Sequence, residues 1–414
     1  MTALAARDGG LCVESVPLAD IAARYGTPCF VYSRAALTAA YREFDGAFAG
    51  LRHLTCYALK ANSNLAVLDV FARLGSGFDV VSGGELARVI AAGGDPRKVV
   101  FSGVGKTEDE LLQALEQDIL CFNVESGSEL EHLQRVAKRM SKVAPVSFRV
   151  NPDVDPQTHP YIATGLKDSK FGIAFGEALP LYRRAAELPG IALRGIDIHI
   201  GSQITALEPY CQAATKLLEL VDALAAEGIR LEHIDLGGGI GIRYRDETPV
   251  ALADYAAMIS TLFRGRPEMP IFEPGRRLTG NAGILLTRVC YLKPGAERSF
   301  AIVDAAMNDL LRPALYDAWH DVQPVRPRNA EPRTWQIVGP VCESADFLAR
   351  DRELALAEGD LLAILSAGAY AMAMSSNYNS RPRAAEVLVD GNAMHLVGRR
   401  ETVAELFARE SRLP

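Results

Sequence analysis

No apolar run in this 414-residue chain is long enough to cross a bilayer, and charged residues interrupt all of its longer hydrophobic stretches. The first residues lack the extended apolar segment of a secretory signal, so a cytoplasmic protein is expected. Basic charge is not in excess either. Lys and Arg total 44 against 51 Asp and Glu, a net charge of −7, and no dense basic cluster occurs. That excludes nucleic acid as a partner, because a polyanion requires a positive patch. The seven cysteines (Cys12, Cys29, Cys56, Cys121, Cys211, Cys290 and Cys342) are scattered and odd in number. They form no Cys-x-x-Cys pair or Cys/His cluster, so no metal is expected, and a reducing compartment fits better than disulfides. Low-complexity linkers are missing too.

The composition itself is that of a globular protein, with 49% hydrophobic and 23% charged residues. A chain of this length exceeds what one core usually serves, so two domains are expected. Eight short, nearly continuous apolar runs rich in β-branched residues lie at 55–60, 77–81, 99–103, 121–125, 146–151, 195–201, 233–237 and 271–273. Parallel strands buried on both faces have this character. Helix signals separate them. Ser82-Gly-Gly-Glu85, Thr107-Glu-Asp-Glu110 and Ser126-Gly-Ser-Glu129 have the form of capping boxes, and Leu65, Leu68, Phe71 and Leu74 share a helix face that Gly75 can terminate. Strand, capped helix, strand, repeated over about 240 residues, predicts a (β/α)8 barrel of the TIM type. A doubly wound open sheet would have fewer strands for this length.

Beyond residue 280 the rhythm changes to extended segments at 284–291, 300–303, 335–338, 361–365, 385–389 and 394–397. Further ones precede the barrel at 11–16 and 29–32. We expect a barrel over 33–280 and a mostly β domain, a sandwich or small barrel, built from 1–32 plus 281–414. The long loop at 151–170 is a candidate flap over an active site.

Barrel enzymes place their chemistry at the carboxyl ends of the strands. There the sequence offers Lys60, Asp79, His199 with Ser202, Gly237-Gly-Gly239, and Glu273-Pro-Gly-Arg276. A lysine at a strand end is commonly a solvated terminus, but one lying against apolar walls at a barrel mouth can attack a carbonyl. Three successive glycines after the seventh strand expose backbone N–H groups suited to a phosphate, and Gly275 with Arg276 after the eighth would complete that site. Glu273, at the end of a buried strand, needs a cationic partner. A protonated ring nitrogen would serve, as would a salt bridge to Arg276 or Arg277. His199 could be a core histidine or a ring that stacks on a ligand.

Taken together, Tyr57-Ala-Leu-Lys-Ala-Asn62, Phe78-Asp-Val-Val-Ser-Gly-Gly-Glu85, His199-Ile-Gly-Ser-Gln203, Asp235-Leu-Gly-Gly-Gly239 and Glu273-Pro-Gly-Arg276 resemble the barrel-type pyridoxal-phosphate decarboxylases. These enzymes act on diaminopimelate, ornithine and arginine. Arg312-Pro-Ala-Leu-Tyr316, Gly339-Pro-Val-Cys-Glu-Ser344 and Gly368-Ala-Tyr370 make the branch acting on meso-diaminopimelate the most similar, and the likeness runs through nearly the whole chain.

The resemblance implies that Lys60 holds the cofactor as a Schiff base and that His199 stacks on its ring. It implies further that Ser202, Gly238, Gly239, Gly275 and Arg276 surround the phosphate, that Glu273 faces the pyridine nitrogen, and that Asp79 lies nearby. Tyr370 would contact the cofactor and, with Arg276, Arg312, Tyr316 and Glu343, the substrate. Cys342 would donate a proton, since a thiol with a pKa of about 8.5 is largely protonated at neutral pH. In a homodimer, Cys342 and Glu343 would serve the partner's barrel. Arg312 could grip the distal carboxylate of diaminopimelate and Glu343 its ammonium, a two-sign pocket that penalises a simple cation.

One departure stands out, because the tail Tyr370-Ala-Met-Ala has alanine where a glycine is expected. Three other readings are weighed. A sibling decarboxylase should differ at Arg312 and Glu343, a racemase needs a second acid/base on the opposite ring face, and a non-catalytic binding protein should have lost part of the cofactor set.

Overall fold

The computed structural model describes residues 4–7, 9–155, 158 and 169–414. The chain divides into two compact units, Tyr41–Ile242 with Thr248–Arg277, and Met1–Ala40 with Arg243–Glu247 and Leu278–Pro414.

The first unit is a closed barrel of eight parallel strands. They are β1 (Leu54–Ala58), β2 (Gly77–Val80), β3 (Val99–Phe101), β4 (Cys121–Val124), β5 (Ala144–Asn151), β6 (Ile191–Asp197), β7 (His233–Asp235) and β8 (Met269–Phe272). Each pairs with the next in sequence, and β8 returns to β1 with Ile271 opposite Leu54, which closes the ring. Short strands such as β2 and β4 are buried throughout, because a barrel covers one face with its interior and the other with helices. The covering helices are α1 (Leu65–Arg73), α2 (Gly83–Ala91), α3 (Glu108–Glu116), α4 (Gly127–Arg139), α5 (Phe175–Ala186), α6 (Glu208–Ala226) and α7 (Leu252–Leu262).

Several local expectations change in detail. The strands end earlier than the apolar runs do, so Lys60 lies in a 3-10 turn, Leu59–Ala61, just beyond β1, and His199 lies two residues beyond β6. On α1 the buried face is Val67, Leu68, Val70 and Phe71, whereas Leu65 is exposed. Of the three capping boxes expected, only that of Thr107 and Glu110 is complete. Ser82 and Ser126 cap α2 and α4, but the Glu85 and Glu129 carboxylates reach one residue further back, to the N–H groups of Val81 and Glu125. Of the 151–170 loop expected to act as a flap, residues 156–157 and 159–168 lie outside the described residues.

The second unit is built on a mixed sheet. Its strand order is Phe347–Leu354, Arg333–Val338, Ser299–Val303, Gly283–Lys293, Cys29–Ser33, Ala385–Asp390 and Ala393–Gly398, with Leu361–Ile364 and Val322–Pro324 branching from the long central strand. Cys29–Ser33, from the start of the chain, runs antiparallel to Gly283–Lys293 and parallel to Ala385–Asp390. Its core joins residues far apart in sequence, among them Val13, Leu18, Ile21, Val31, Ile284, Leu286, Val387 and Val389. Two strands, Phe347–Leu354 and Val322–Pro324, had no clear sequence signal. Phe347-Leu-Ala-Arg-Asp-Arg-Glu-Leu354 carries charge on half its positions, as an outer strand open to water does.

Glu110 has two tasks at the helical layer. One carboxylate oxygen closes its own capping box on Thr107 N–H, and the other accepts from Gly83 N–H at 2.8 Å, at the start of α2. Thr107→Ala is therefore expected to cost about 1 kcal/mol and Glu110→Ala about 2 kcal/mol, since the second empties two helix termini. Thermal melting should rank them in that order, with cofactor binding unchanged; equal losses would show that the α2 contact contributes nothing.

Candidate active site

The barrel's closure gathers at one mouth the polar residues that end its strands. Lys60 Nζ lies 2.6 Å from Asp79 Oδ2, and Asp79, within β2, is fully buried, so the ammonium is held against a carboxylate that water does not reach. Beyond β6, His199 accepts a hydrogen bond on Nδ1 from the N–H of Gly238 at 3.2 Å. That bond assigns the ring proton to Nε2 in the neutral form. Burial, with the charges of Lys60 and Arg149 added, pushes its pKa well below the ordinary histidine value, so the ring is neutral. A neutral imidazole presents a flat face without charge.

The glycine run after β7 has a steric reason. A Cβ on Gly238 would stand 2.1 Å from the carbonyl oxygen of Glu273, and one on Gly239, at φ +98, would stand 2.3 Å from that of Gly201. These positions tolerate no side chain, and the backbone they leave bare adjoins Arg276, which donates from Nη2 to Ser202 Oγ at 3.0 Å. Arg276 is itself buried.

Glu273 follows β8 and is buried, with Oε1 lacking any hydrogen-bond partner. Of the two arginines considered as its partner, Arg277 pairs with Glu43. Instead Glu273 lies with two further buried acids, Asp197 at the end of β6 and Asp235 at the end of β7, the three presenting oxygens within 4.8 Å of one another. Asp235 Oδ2, Asp197 Oδ1 and Asp79 Oδ1 also lack partners. Burial and mutual repulsion raise Glu273 and Asp197 well above the carboxylate range, and Asp235 to about 7. Such a cluster holds shared protons at neutral pH and calls for a cationic or N–H-bearing group. Asp197 and Asp235 were missed as site residues, although Asp235 opens one of the motifs quoted above and Asp197 lies inside the sixth apolar run. An acid closing an otherwise apolar strand was the available signal.

The remaining candidates lie in the second unit. Arg312 opens the short helix Arg312–Tyr316 and is buried, with Tyr316 partly so. Its guanidinium sits 4.5 Å over the ring of Tyr244 and donates to His320 Nε2 at 2.9 Å. Cys342 and Glu343 are both exposed, on a turn that Asp346 ties down by accepting from the N–H groups of Met307 and Val341. Cys342 N–H donates to Asn379 Oδ1 at 2.8 Å. Tyr370 adopts φ +54, while Ala371 sits at φ −114, so the alanine needs no glycine freedom and the unusual backbone belongs to the tyrosine.

These features fit pyridoxal phosphate. An amine stands ready for its aldehyde, a side-chain-free cradle with a buried arginine suits its phosphate, a neutral ring can lie against its face, and an orphaned buried acid can meet its ring nitrogen. Residues 34–280 match the family described as the pyridoxal-dependent decarboxylase, pyridoxal binding domain. The chain belongs to the pyridoxal-dependent decarboxylases. It is 63% identical over 408 residues to the diaminopimelate decarboxylase of Pseudomonas aeruginosa, covering 99% of this chain and 98% of that one. Among solved structures, the diaminopimelate decarboxylase of Helicobacter pylori complexed with L-lysine superposes with a TM-score of 0.92 at 41% identity, covering 95% of this chain and 99% of that one. The diaminopimelate decarboxylase of M. jannaschii superposes at 0.95 and 37% identity, covering 100% and 98%.

Because the folded-state pKa values of the acid cluster lie above their unfolded ones, its stabilising contribution is full below about pH 4 and fades as pH rises, through about 7 for Asp235. The cofactor-free protein should therefore lose melting temperature as pH increases through that window. Glu273→Gln removes one of the crowded charges. We expect it to raise the melting temperature of the cofactor-free protein at neutral pH and to weaken cofactor binding at least tenfold, roughly the loss of one charge-assisted hydrogen bond. Unchanged cofactor affinity would refute the assignment of Glu273 to the ring nitrogen.

Proposed function

We propose that this chain removes carbon dioxide from meso-2,6-diaminopimelate, leaving L-lysine, with pyridoxal phosphate held on Lys60. The observation that carries the reading is the convergence at one barrel mouth of the Lys60 amine, the bare backbone of Gly238 and Gly239, and the orphaned carboxylate of Glu273. When bound, the cofactor supplies an electron sink for the pair left behind when a carboxylate departs.

The residues of the chain do the rest. Lys60 provides the amine that anchors the cofactor, and Asp79 holds that amine in place. His199, neutral and fixed by Gly238, lies against the ring face. Ser202, Gly238, Gly239, Gly275 and Arg276 surround the phosphate, with Arg276 also facing the substrate. Glu273 keeps a proton on the ring nitrogen, and the shared protons of Asp197 and Asp235 support it. Arg312 binds the distal carboxylate as a fork and Glu343 the distal ammonium, with Tyr316 and Tyr370 completing the pocket. Cys342 returns a proton to the α-carbon. We place the enzyme in the cytoplasm, as a homodimer in which Cys342 and Glu343 act at the barrel of the second copy. The exposure of both side chains on the single chain supports this.

Supplied separately with meso-diaminopimelate, L-ornithine and L-arginine, the cofactor-loaded protein should release lysine and carbon dioxide from the first alone. Arg312→Ala should raise KM for diaminopimelate roughly 30-fold or more, the usual result of leaving a buried charge unmatched. Turnover of ornithine by the wild type would remove the roles given to Arg312 and Glu343. Dimer sharing has its own test. Mixing inactive Lys60→Ala with inactive Cys342→Ala should restore activity towards roughly a quarter of wild type, because half of the dimers are mixed and each carries one intact site. No recovery on subunit exchange would place Cys342 in its own chain's site.

A further inference from the structure

Cys342, to which the return of a proton is given above, stands at the centre of a three-residue turn. The N–H of Glu343 closes that turn on the carbonyl of Val341 at 2.8 Å, and the N–H of Val341 donates to Asp346 Oδ2 at 2.8 Å. Both of these acceptors come from the turn itself. The N–H of Cys342 is served from 37 residues away, by Asn379 Oδ1 at 2.8 Å. A peptide N–H can only donate, so the amide of Asn379 presents its oxygen there. The segment that brings Asn379 to this place is strained. Asn379 and Ser380 adopt successive left-handed conformations, at φ 56 and φ 51, with no glycine at either position. Asparagine accepts this region more readily than most residues, but two such residues in succession need outside support. They receive it. Asn377 Nδ2 spans the pair to the carbonyl of Arg381 at 3.0 Å, and Arg381 Nε donates to Asn308 Oδ1 at 3.0 Å. The carbonyl of Asn308 also accepts from the N–H of Ser376 at 2.9 Å. Its neighbour Met307 gives its N–H to Asp346 Oδ1 at 2.6 Å. The strained pair and the Cys342 turn are thus fastened to the same two residues, Met307 and Asn308.

Backbone strain that the surroundings maintain points to a conformation with a use. Fixing the N–H of a residue fixes the peptide plane before it, and with that the direction of its Cα–Cβ bond. A proton passes from sulfur to carbon only over a short, aligned path, so that direction governs the rate of transfer. We propose that Asn379 is a positioning residue for proton return, its Oδ1 holding the N–H of Cys342 so that the thiol is aimed for delivery. In that step the S–H bond breaks, and a C–H bond forms with the electron pair left by departing carbon dioxide. The thiolate then takes a proton from water. The proposal rests on the reading that Cys342 is the proton donor.

The test compares Asn379→Gly, Asn379→Asp and Cys342→Ala with wild type, all loaded with pyridoxal phosphate. Asn379→Gly removes the acceptor but takes the left-handed conformation without strain, so its melting temperature should stay within about 2 °C of wild type. Before any turnover, the amide of Cys342 should exchange with deuterium about tenfold faster in this variant. For meso-diaminopimelate, kcat should fall about tenfold, as loss of one aligned hydrogen bond does, with KM and cofactor affinity within about twofold. The solvent deuterium isotope effect on kcat should rise, because proton delivery becomes the slow step. A merely structural role would not move it. Asn379→Asp keeps an acceptor and tolerates the left-handed region, and should stay within about threefold of wild type in both kcat and exchange. If Asn379→Gly does not fold, Asn379→Ala, which also lacks the acceptor, takes its place. Wild-type kcat without the acceptor, an unchanged isotope effect, or an equal loss in Asn379→Asp would overturn the proposal. KM or cofactor affinity worsening in step with kcat would overturn it as a general distortion. So would a Cys342 amide that exchanges in the wild type as fast as an unbonded one, a result that needs no variant. Any of these alongside an inactive Cys342→Ala would remove the role of Asn379 alone. Full turnover by Cys342→Ala would remove the reading of Cys342 as the donor.

Discussion

The pairing of the last barrel strand with the first, Ile271 against Leu54 and Phe272 against Thr55, is the constraint on which the site depends. These residues are more than 200 positions apart, and their hydrogen bonds close the ring. Closure sets Lys60, which follows β1, beside Glu273, which follows β8, and places the bare glycine backbone that follows β7 next to both. An open sheet of the same strands would leave the first and last at opposite edges. The core supports the joint, with Phe48 stacked 4.1 Å from Phe272 and Tyr255 edge-on to Phe48.

Closure also has a cost that the site uses. Strand ends that converge bring their polar residues into one low-dielectric space, and here Asp79, Asp197, Asp235 and Glu273 arrive together. Lys60 and Arg149 are the nearby cations, with Lys60 paired to Asp79 and Arg149 beside Glu125 at 3.6 Å. Burial and mutual repulsion push Asp197, Asp235 and Glu273 upward, an arrangement that a bound group carrying an N–H would relieve. Stability is surrendered locally so that the cofactor's binding can recover it.

The second unit meets the opposite problem, burying positive charge against aromatic rings. Trp319 carries two guanidinium groups over its ring, Arg245 at 4.2 Å and Arg352 at 3.2 Å, and Arg312 lies over Tyr244. Burial pulls Arg352 down to about 10, with the carboxylates of Asp321 and Asp351 opposing the shift.

Much of this was legible in the chain. The eight apolar runs announced the barrel strands to within a few residues, because strands buried on both faces must be apolar wherever they lie. Lys60, His199, Gly238, Gly239, Glu273 and Arg276 stood out, because polar or glycine residues at such strand ends have few structural excuses. Other features were not legible. Leu65 faces water despite its helical spacing, the charged strand Phe347–Leu354 gave no period, and His320 and Tyr244 gave no sign of meeting Arg312. Local sequence determined which segments are strands, where helices start and which residues could carry chemistry, since backbone propensity, capping and apolar period act over a few residues. Only the tertiary structure decided that three acids from β6, β7 and β8 share one space, and that a histidine lone pair holds an arginine. Burial and charge pairing depend on distances through space that no local pattern encodes.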